Sequence, residues 1–221
     1  MYSVDLSKIK IKDFVKLLKS IDLLPGRRVL LNGLDEIAEL FEKNGATNLA
    51  AIQKILKNKN AYEDLAKQYQ TTNDYLTVLN REINSYINKP IKLAEIPAIS
   101  KKALVKFNQI EIKTTKDLYD TCVLNKDQKA VMEKTGISMT EIEEFLSLSD
   151  LLRINGVGPA YAMILYKIGI KSVKNYYETD SNVILEKFQK ENQGNKYIKA
   201  NLGIKDVDYC KRFCKYLDHE I

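Results

Sequence analysis

The chain has 221 residues, 45% of them hydrophobic and 29% charged, with a formal net charge of +6. That balance fits a globular protein able to bury one large core or two small ones, and it excludes a disordered or collagen-like chain. No apolar run approaches the roughly 18 to 20 residues that span a bilayer, and the opening MYSVDLSKIKIKDF is too regularly charged for a signal peptide, so a cytoplasmic protein with no membrane partner is expected.

In chain order, the first clear element is Lys12 to Ile21, with Phe14, Leu17, Leu18 and Ile21 at helical spacing. Ser7 to Lys12 alternates and reads equally as helix or extended chain. Leu24-Pro25-Gly26 breaks the pattern before Arg27 and Arg28. Asn88 and Pro90 punctuate SYINKPIKL and mark a boundary, dividing an N-terminal domain, 1–90, from a second domain, 91–221. A shift of 58 residues then lays EIPAISKKALVKFNQIEIKTTKDL on RINGVGPAYAMILYKIGIKSVKNY without a gap. A weaker third copy starts at Glu42, where EKNGATNLAAI resembles YKIGIKSVKNY. The tails repeat too: MEKTGISMTEIEEF from Met132 matches ANLGIKDVDYCKRF from Ala200, with Gly136 on Gly203, and more faintly LAKQYQTTNDYL from Leu65. Three related units of short helices follow, about 22–90, 92–149 and 150–221. Thr140 to Leu152 contains no breaker, so one helix should join the last two into a rigid block.

The most informative stretch is Asp150 to Val173, centred on Gly156-Val157-Gly158. Gly156 suits a left-handed turn, Val157 can plug the space between two helices, and Gly158 leaves room for a ligand to approach the backbone. Pro159 stands where the next helix should begin, and a helix start with free N–H groups can hold a phosphate. The same glycines also suit two helices that merely pack.

The residues Leu151, Ile154, Gly156, Val157, Gly158, Ala162 and Leu165 resemble the helix-hairpin-helix motif. More widely, the chain from about Ile91 resembles a bacterial family of unknown function built from tandem helix-hairpin-helix units, and DLLPGRRVL at 22–30 resembles the leader of its full-length members. The resemblance implies an all-α fold of tandem helix-hairpin-helix units, small helical bundles of the SAM-like kind, and a DNA-binding role with no known activity. The N-terminal domain would then carry a divergent unit of the same type.

Only the third unit keeps both glycines; the second has Ala98 and Ser100 in their places, followed by Lys101 and Lys102. The expected function is non-catalytic, sequence-independent binding of a DNA or RNA backbone. Gly156, Val157 and Gly158 would present N–H groups, with Arg153, Lys101, Lys102, Lys167 and Lys171 supplying charge. By count of side chains, the surplus is +3 over 1–90, −1 over 91–150 and +4 over 151–221, which favours a polyanion, although lysine-rich helices are also simply well solvated. The alternative is a scaffold of stacked helices that binds another protein. No enzyme is expected: Ala160 stands where some glycosylases with this motif carry a catalytic lysine, and no phosphate-binding glycine loop or Ser-His-Asp set is present. No cofactor, small-molecule substrate or metal is implied. Cys210 and Cys214 lie one helical turn apart with His219 the only histidine, and together with Cys122 they read as buried free thiols. Most of the tyrosines of the third unit read as core or boundary packing.

Overall fold

The computed structural model describes residues 1–124, 126–199 and 201–221. Among them the chain is all-helical, with no strand and only two isolated bridge pairs, Lys10 with Asn48 and Lys92 with Thr114. No helix is long and apolar enough to cross a membrane. The chain divides into a smaller unit, Asp5–Ile87, and a larger one, in which Met1–Val4 folds with Asn88–Ile221.

The smaller unit holds α1 (Ile11–Ser20), α2 (Leu34–Lys43), α3 (Leu49–Ile55), α4 (Tyr62–Gln68) and α5 (Asn73–Asn84). The ambiguous Ser7 to Lys12 stretch is mixed: a single 3-10 turn, Leu6–Lys8, runs into extended backbone at Ile9 and Lys10 before α1 begins. Helical spacing buries Phe14 and Leu18 on α1 against Ile37 and Phe41 on α2, the ordinary outcome for an amphipathic pair. Pro25 opens a 3-10 segment, Pro25–Leu31, pinned to α5 by the Tyr75 hydroxyl donating to the Leu30 carbonyl at 3.2 Å. Arg27 is paired with the buried Glu82 at 3.0 Å, so it is a structural cation.

The larger unit contains α6 (Lys101–Gln109), α7 (Thr115–Tyr119), α8 (Gln128–Thr135), α9 (Met139–Leu151), α10 (Pro159–Lys167), α11 (Val173–Glu178), α12 (Ser181–Glu191) and α13 (Ile204–Cys214). A π-helical turn, Asp120–Leu124, follows α7. With no breaker between Thr140 and Leu151, α9 runs unbroken, started by a capping box in which Ser138 and Glu141 satisfy each other's backbone N–H groups.

Backbone details recur at the 58-residue interval. The bounds of α10 are those of α6 moved by 58, and Glu111 and Gly169, which end the two helices' turns, both have left-handed φ, 59° and 88°. Ile112 donates to Phe107 at 3.0 Å and Ile170 to Leu165 at 2.9 Å. Thr114 and Ser172 then cap α7 and α11 with their hydroxyls. The smaller unit shows the same turn after α2: Gly45 has φ 88°, Ala46 donates to Phe41 at 3.0 Å, and Asn48 caps α3.

The tails correspond differently from the sequence match. Gly136 ends α8 in the left-handed conformation, φ 60°, whereas Gly203 has ordinary extended backbone and opens α13. The equivalent of Gly203 is Ser138, two residues later, because each receives the carboxylate of the third helical residue, Asp206 or Glu141, on its N–H. Helix-start chemistry, not the glycine, sets the register there. Ala200, where the sequence match begins, lies outside the described residues.

Candidate nucleic-acid interface

The Gly156-Val157-Gly158 turn joins α9 to α10. It closes with Val157 N–H donating to the Ile154 carbonyl at 3.1 Å, and Gly156 takes φ 92°, a value that favours glycine. Val157 is 3% exposed and fills the space between the helices. The two glycines have different jobs. A Cβ on Gly156 would stand 2.7 Å from the Cys210 sulfur and 3.4 Å from the Tyr209 ring, so its bareness lets α13 close over the turn. A Cβ on Gly158 would meet nothing within 4 Å, so this position faces open space.

Beyond Gly158, α10 starts with Pro159 and has no side-chain cap. The N–H groups of Gly158, Ala160 and Tyr161 have no acceptor among the described residues. Free N–H groups at the positive end of a helix are donors for an anion. In the second unit Ser100 occupies the matching position and accepts from Ala103 N–H at 3.1 Å, which partly satisfies the start of α6 from within.

The charged residues assigned to this surface are distributed otherwise. Arg153 is corrected outright: it is 2% exposed and faces inward. Its guanidinium pairs with Asp150, donates to the carbonyls of Tyr2 at 2.9 Å and of Met1 and Asp218 at 3.0 Å each, and lies 4.4 Å from the Tyr119 ring centroid. Four of its five N–H groups are engaged inside the fold and the side chain is buried, so it is not presented to a phosphate at the turn. Asp150 in turn accepts from Val173 N–H at 2.7 Å, at the start of α11. Burial pushes the Asp150 carboxyl up from its ordinary range, and the Arg153 guanidinium and the Val173 N–H oppose that push.

Lys167 and Lys171 are exposed but not beside the turn. Lys167 is the last residue of α10, about 12 Å along the helix from Pro159 at 1.5 Å per residue. It donates to the Tyr197 hydroxyl at 2.6 Å, and Lys171 lies 5.2 Å from the Tyr166 ring centroid. Lys101 and Lys102 are exposed at the first two positions of α6, next to the second turn. The Glu141 carboxyl is held below its ordinary range by the Ser138 hydroxyl and N–H, with Lys106 and Lys102 adding to the effect. Lys102 therefore has an acidic neighbour.

The sequence reading did not single out Arg212, and it took Tyr209, with most tyrosines of the third unit, as core or boundary packing. Tyr209 is half-buried against Gly156, Asn155 donates to its hydroxyl at 3.5 Å, and the Arg212 guanidinium lies 4.4 Å from its ring centroid. The signal was the i,i+3 spacing of Tyr209 and Arg212 on one helix. Tyr161 and Tyr176 are core, with their hydroxyls 3.1 Å apart. All three cysteines are buried, and burial pushes the Cys210 thiol up to about 12, which leaves it protonated and unreactive at neutral pH.

An all-helical unit in which two turns 58 residues apart each open a helix is the class of structure these details define. A family model described as Domain of unknown function (DUF4332) matches residues 97–210, more than half of the chain, and the chain belongs to that family. No curated protein and no solved structure matches it.

Proposed function

We propose that the protein binds nucleic acid without reading its sequence, holding backbone phosphate at the start of α10. On this reading the segments around 98–100 and 156–158 are two helix-hairpin-helix units, the turn after α2 belongs to a divergent third, and no catalysis is involved. The observation that carries the proposal is the state of Gly158: an open position, no side-chain cap, and the N–H groups of Gly158, Ala160 and Tyr161 without an acceptor among the described residues. Donors of this kind recognise phosphate oxygens and are indifferent to bases. Lys101 and Lys102 supply charge at the matching turn, and Arg212 lies over the Tyr209 ring that packs against Gly156.

Fluorescence anisotropy against single-stranded, duplex and branched DNA and a matched RNA, over a series of salt concentrations, tests this reading. The informative variant is Gly158→Asp. A substitution at Gly156 would clash with Cys210 and confuse binding with folding, whereas a side chain at Gly158 has room. Binding that weakens with salt in the wild type and is lost in a folded Gly158→Asp protein supports the proposal. A well-folded wild type that binds none of the four probes at low salt rejects it and leaves a protein partner as the remaining class.

A further inference from the structure

The family match spans 97–210, yet Met1–Val4 folds with the matched region across the intervening Asp5–Ile87 unit. Tyr2 is 1% exposed and is held from two directions. Its hydroxyl is 2.5 Å from the Thr115 hydroxyl at the start of α7, and its ring meets Tyr119 edge-on at 5.7 Å. Its carbonyl accepts from Arg153 at 2.9 Å, three residues before Gly156. Val4 is 5% exposed, and the Ser3 hydroxyl donates to the Asn88 carbonyl at 3.5 Å.

The contacts fall on both sides of the 58-residue correspondence. Thr115 and Tyr119 belong to the second unit, and Arg153 to the third. The first residues of α7 and α11, Thr115 and Val173, are 58 apart, and both N–H groups are satisfied, one by the Ile91 carbonyl at 2.9 Å and the other by Asp150 at 2.7 Å. In the second unit extended backbone does the work. In the third a carboxylate does it, and that carboxylate needs Arg153, whose remaining hydrogen bonds go to the carbonyls of Met1, Tyr2 and Asp218. A buried guanidinium loses most when a partner is removed and nothing replaces it.

We propose that Met1–Val4 is a strap that staples the two units of the family region together, Tyr2 fastening α7 with its side chain and the Arg153 segment with its carbonyl, and so fixes the Gly156 turn. These contacts do not depend on what the turn binds. The match at 97–210 is therefore shorter than the folding unit.

Amide hydrogen exchange on the full chain tests this. In Tyr2→Ala, exchange of the Thr115 and Val173 amides and of the turn around 154–158 rises by about tenfold or more relative to wild type, while α2 to α5 keep their protection. In Tyr2→Phe the ring remains and keeps the backbone carbonyl anchored against Arg153, whereas Tyr2→Ala loses that anchor, so the rise is smaller and confined to the Thr115 side. Loss of protection throughout 88–221 with the Asp5–Ile87 unit still protected also supports the strap, since it shows the larger unit depends on it. Unchanged exchange at Thr115, Val173 and the turn in Tyr2→Ala overturns the proposal. So does an acceleration shared equally by Asp5–Ile87, which marks a general loss of stability. Nucleic-acid binding plays no part in these outcomes, so the strap stands or falls separately from the function proposed above.

Discussion

The turns at 96–99 and 154–157 close with the same hydrogen bond, 3.0 Å from Ile99 to Ile96 and 3.1 Å from Val157 to Ile154, yet they are not the same turn. Gly156 has φ 92°, the left-handed value that a type II turn requires at its third residue. Ala98, 58 residues earlier, keeps an ordinary negative φ, and Pro97 before it suits the second position of either common turn. Two turns of these kinds differ by a flip of their central peptide. The second unit then caps its helix with Ser100, while the third leaves Gly158 bare. The apolar frame, Ile96 and Ile99 against Ile154 and Val157, is equally buried in both. Packing is thus retained while the polar face of the turn changes, so the two segments share an apolar frame but not the same set of unpaired backbone donors.

The largest expected effect separates the units by what lies just before the turn. Asp150 and Arg153 are buried and paired, whereas Lys92 and Glu95 at the matching positions are exposed. Removing one partner of a buried pair leaves an uncompensated charge, so Arg153→Met lowers unfolding stability by about 3–5 kcal/mol. Glu95→Met changes it by less than about 0.5 kcal/mol, the range of exposed substitutions. Urea denaturation of both variants decides it. Equal losses would erase the distinction between the two units.

Next in size is the turn itself. Gly156→Ala meets both a left-handed φ and the Cys210 sulfur, and costs about 1–3 kcal/mol. Ala98→Gly meets neither and costs no more than about 1 kcal/mol, through added freedom of the unfolded chain. The steric part of the Gly156→Ala loss depends on Cys210, so in a Cys210→Ala background the cost falls toward that of φ alone. If the loss is undiminished in that background, the close approach of α13 is not what demands glycine.

Much of this architecture was legible because it is written in apolar spacing and helix caps. Phe107 and Leu165, Ile112 and Ile170, and Thr114 and Ser172 are the same kind of residue in the same place, and the backbone follows. What escaped reading was where charge points. Arg153 beside a glycine turn looks like a phosphate contact, and only its i,i+3 relation to Asp150 hinted at an internal pair. Lys167 and Lys171 looked close to the turn in sequence, but a nine-residue helix carries them to its other end. The strap was illegible for another reason: the partners of Tyr2 are 113 and 151 residues away, and no local pattern encodes a contact at that separation. The tails misaligned because glycine, although it more often ends a helix, can also start one, as Gly136 and Gly203 do respectively.

Charge offers a smaller effect. If Lys101 and Lys102 each neutralise one phosphate, replacing both by Ala flattens the dependence of log affinity on log salt by about 2 for duplex DNA, with stability changed by less than about 0.5 kcal/mol. Lys167→Ala with Lys171→Ala leaves that slope unchanged, because those lysines stand at the far end of α10. A steeper loss from the second pair than from the first would move the contact surface away from the turns.

The smallest change in stability carries the sharpest comparison, because it exchanges the caps. Gly158 has extended backbone, φ −93° and ψ 172°, near the −67° and 152° of Ser100, so Gly158→Ser can place its hydroxyl as Ser100 does. Glycine is itself a tolerable cap, and the stability gained is only a few tenths of a kcal/mol. The new hydroxyl accepts from Tyr161 N–H, as Ser100 does from Ala103, and removes one of the three free donors at the start of α10. Nucleic-acid affinity therefore falls while thermal stability rises slightly, a combination that damage to the fold cannot produce. Ser100→Gly is the reverse exchange: it frees Ala103 N–H and weakens the cap of α6 by the same few tenths. Any gain in binding there measures how far the flipped peptide at Ala98 still allows a phosphate to approach. Affinity unchanged by Gly158→Ser means that the open helix start is not where the phosphate sits.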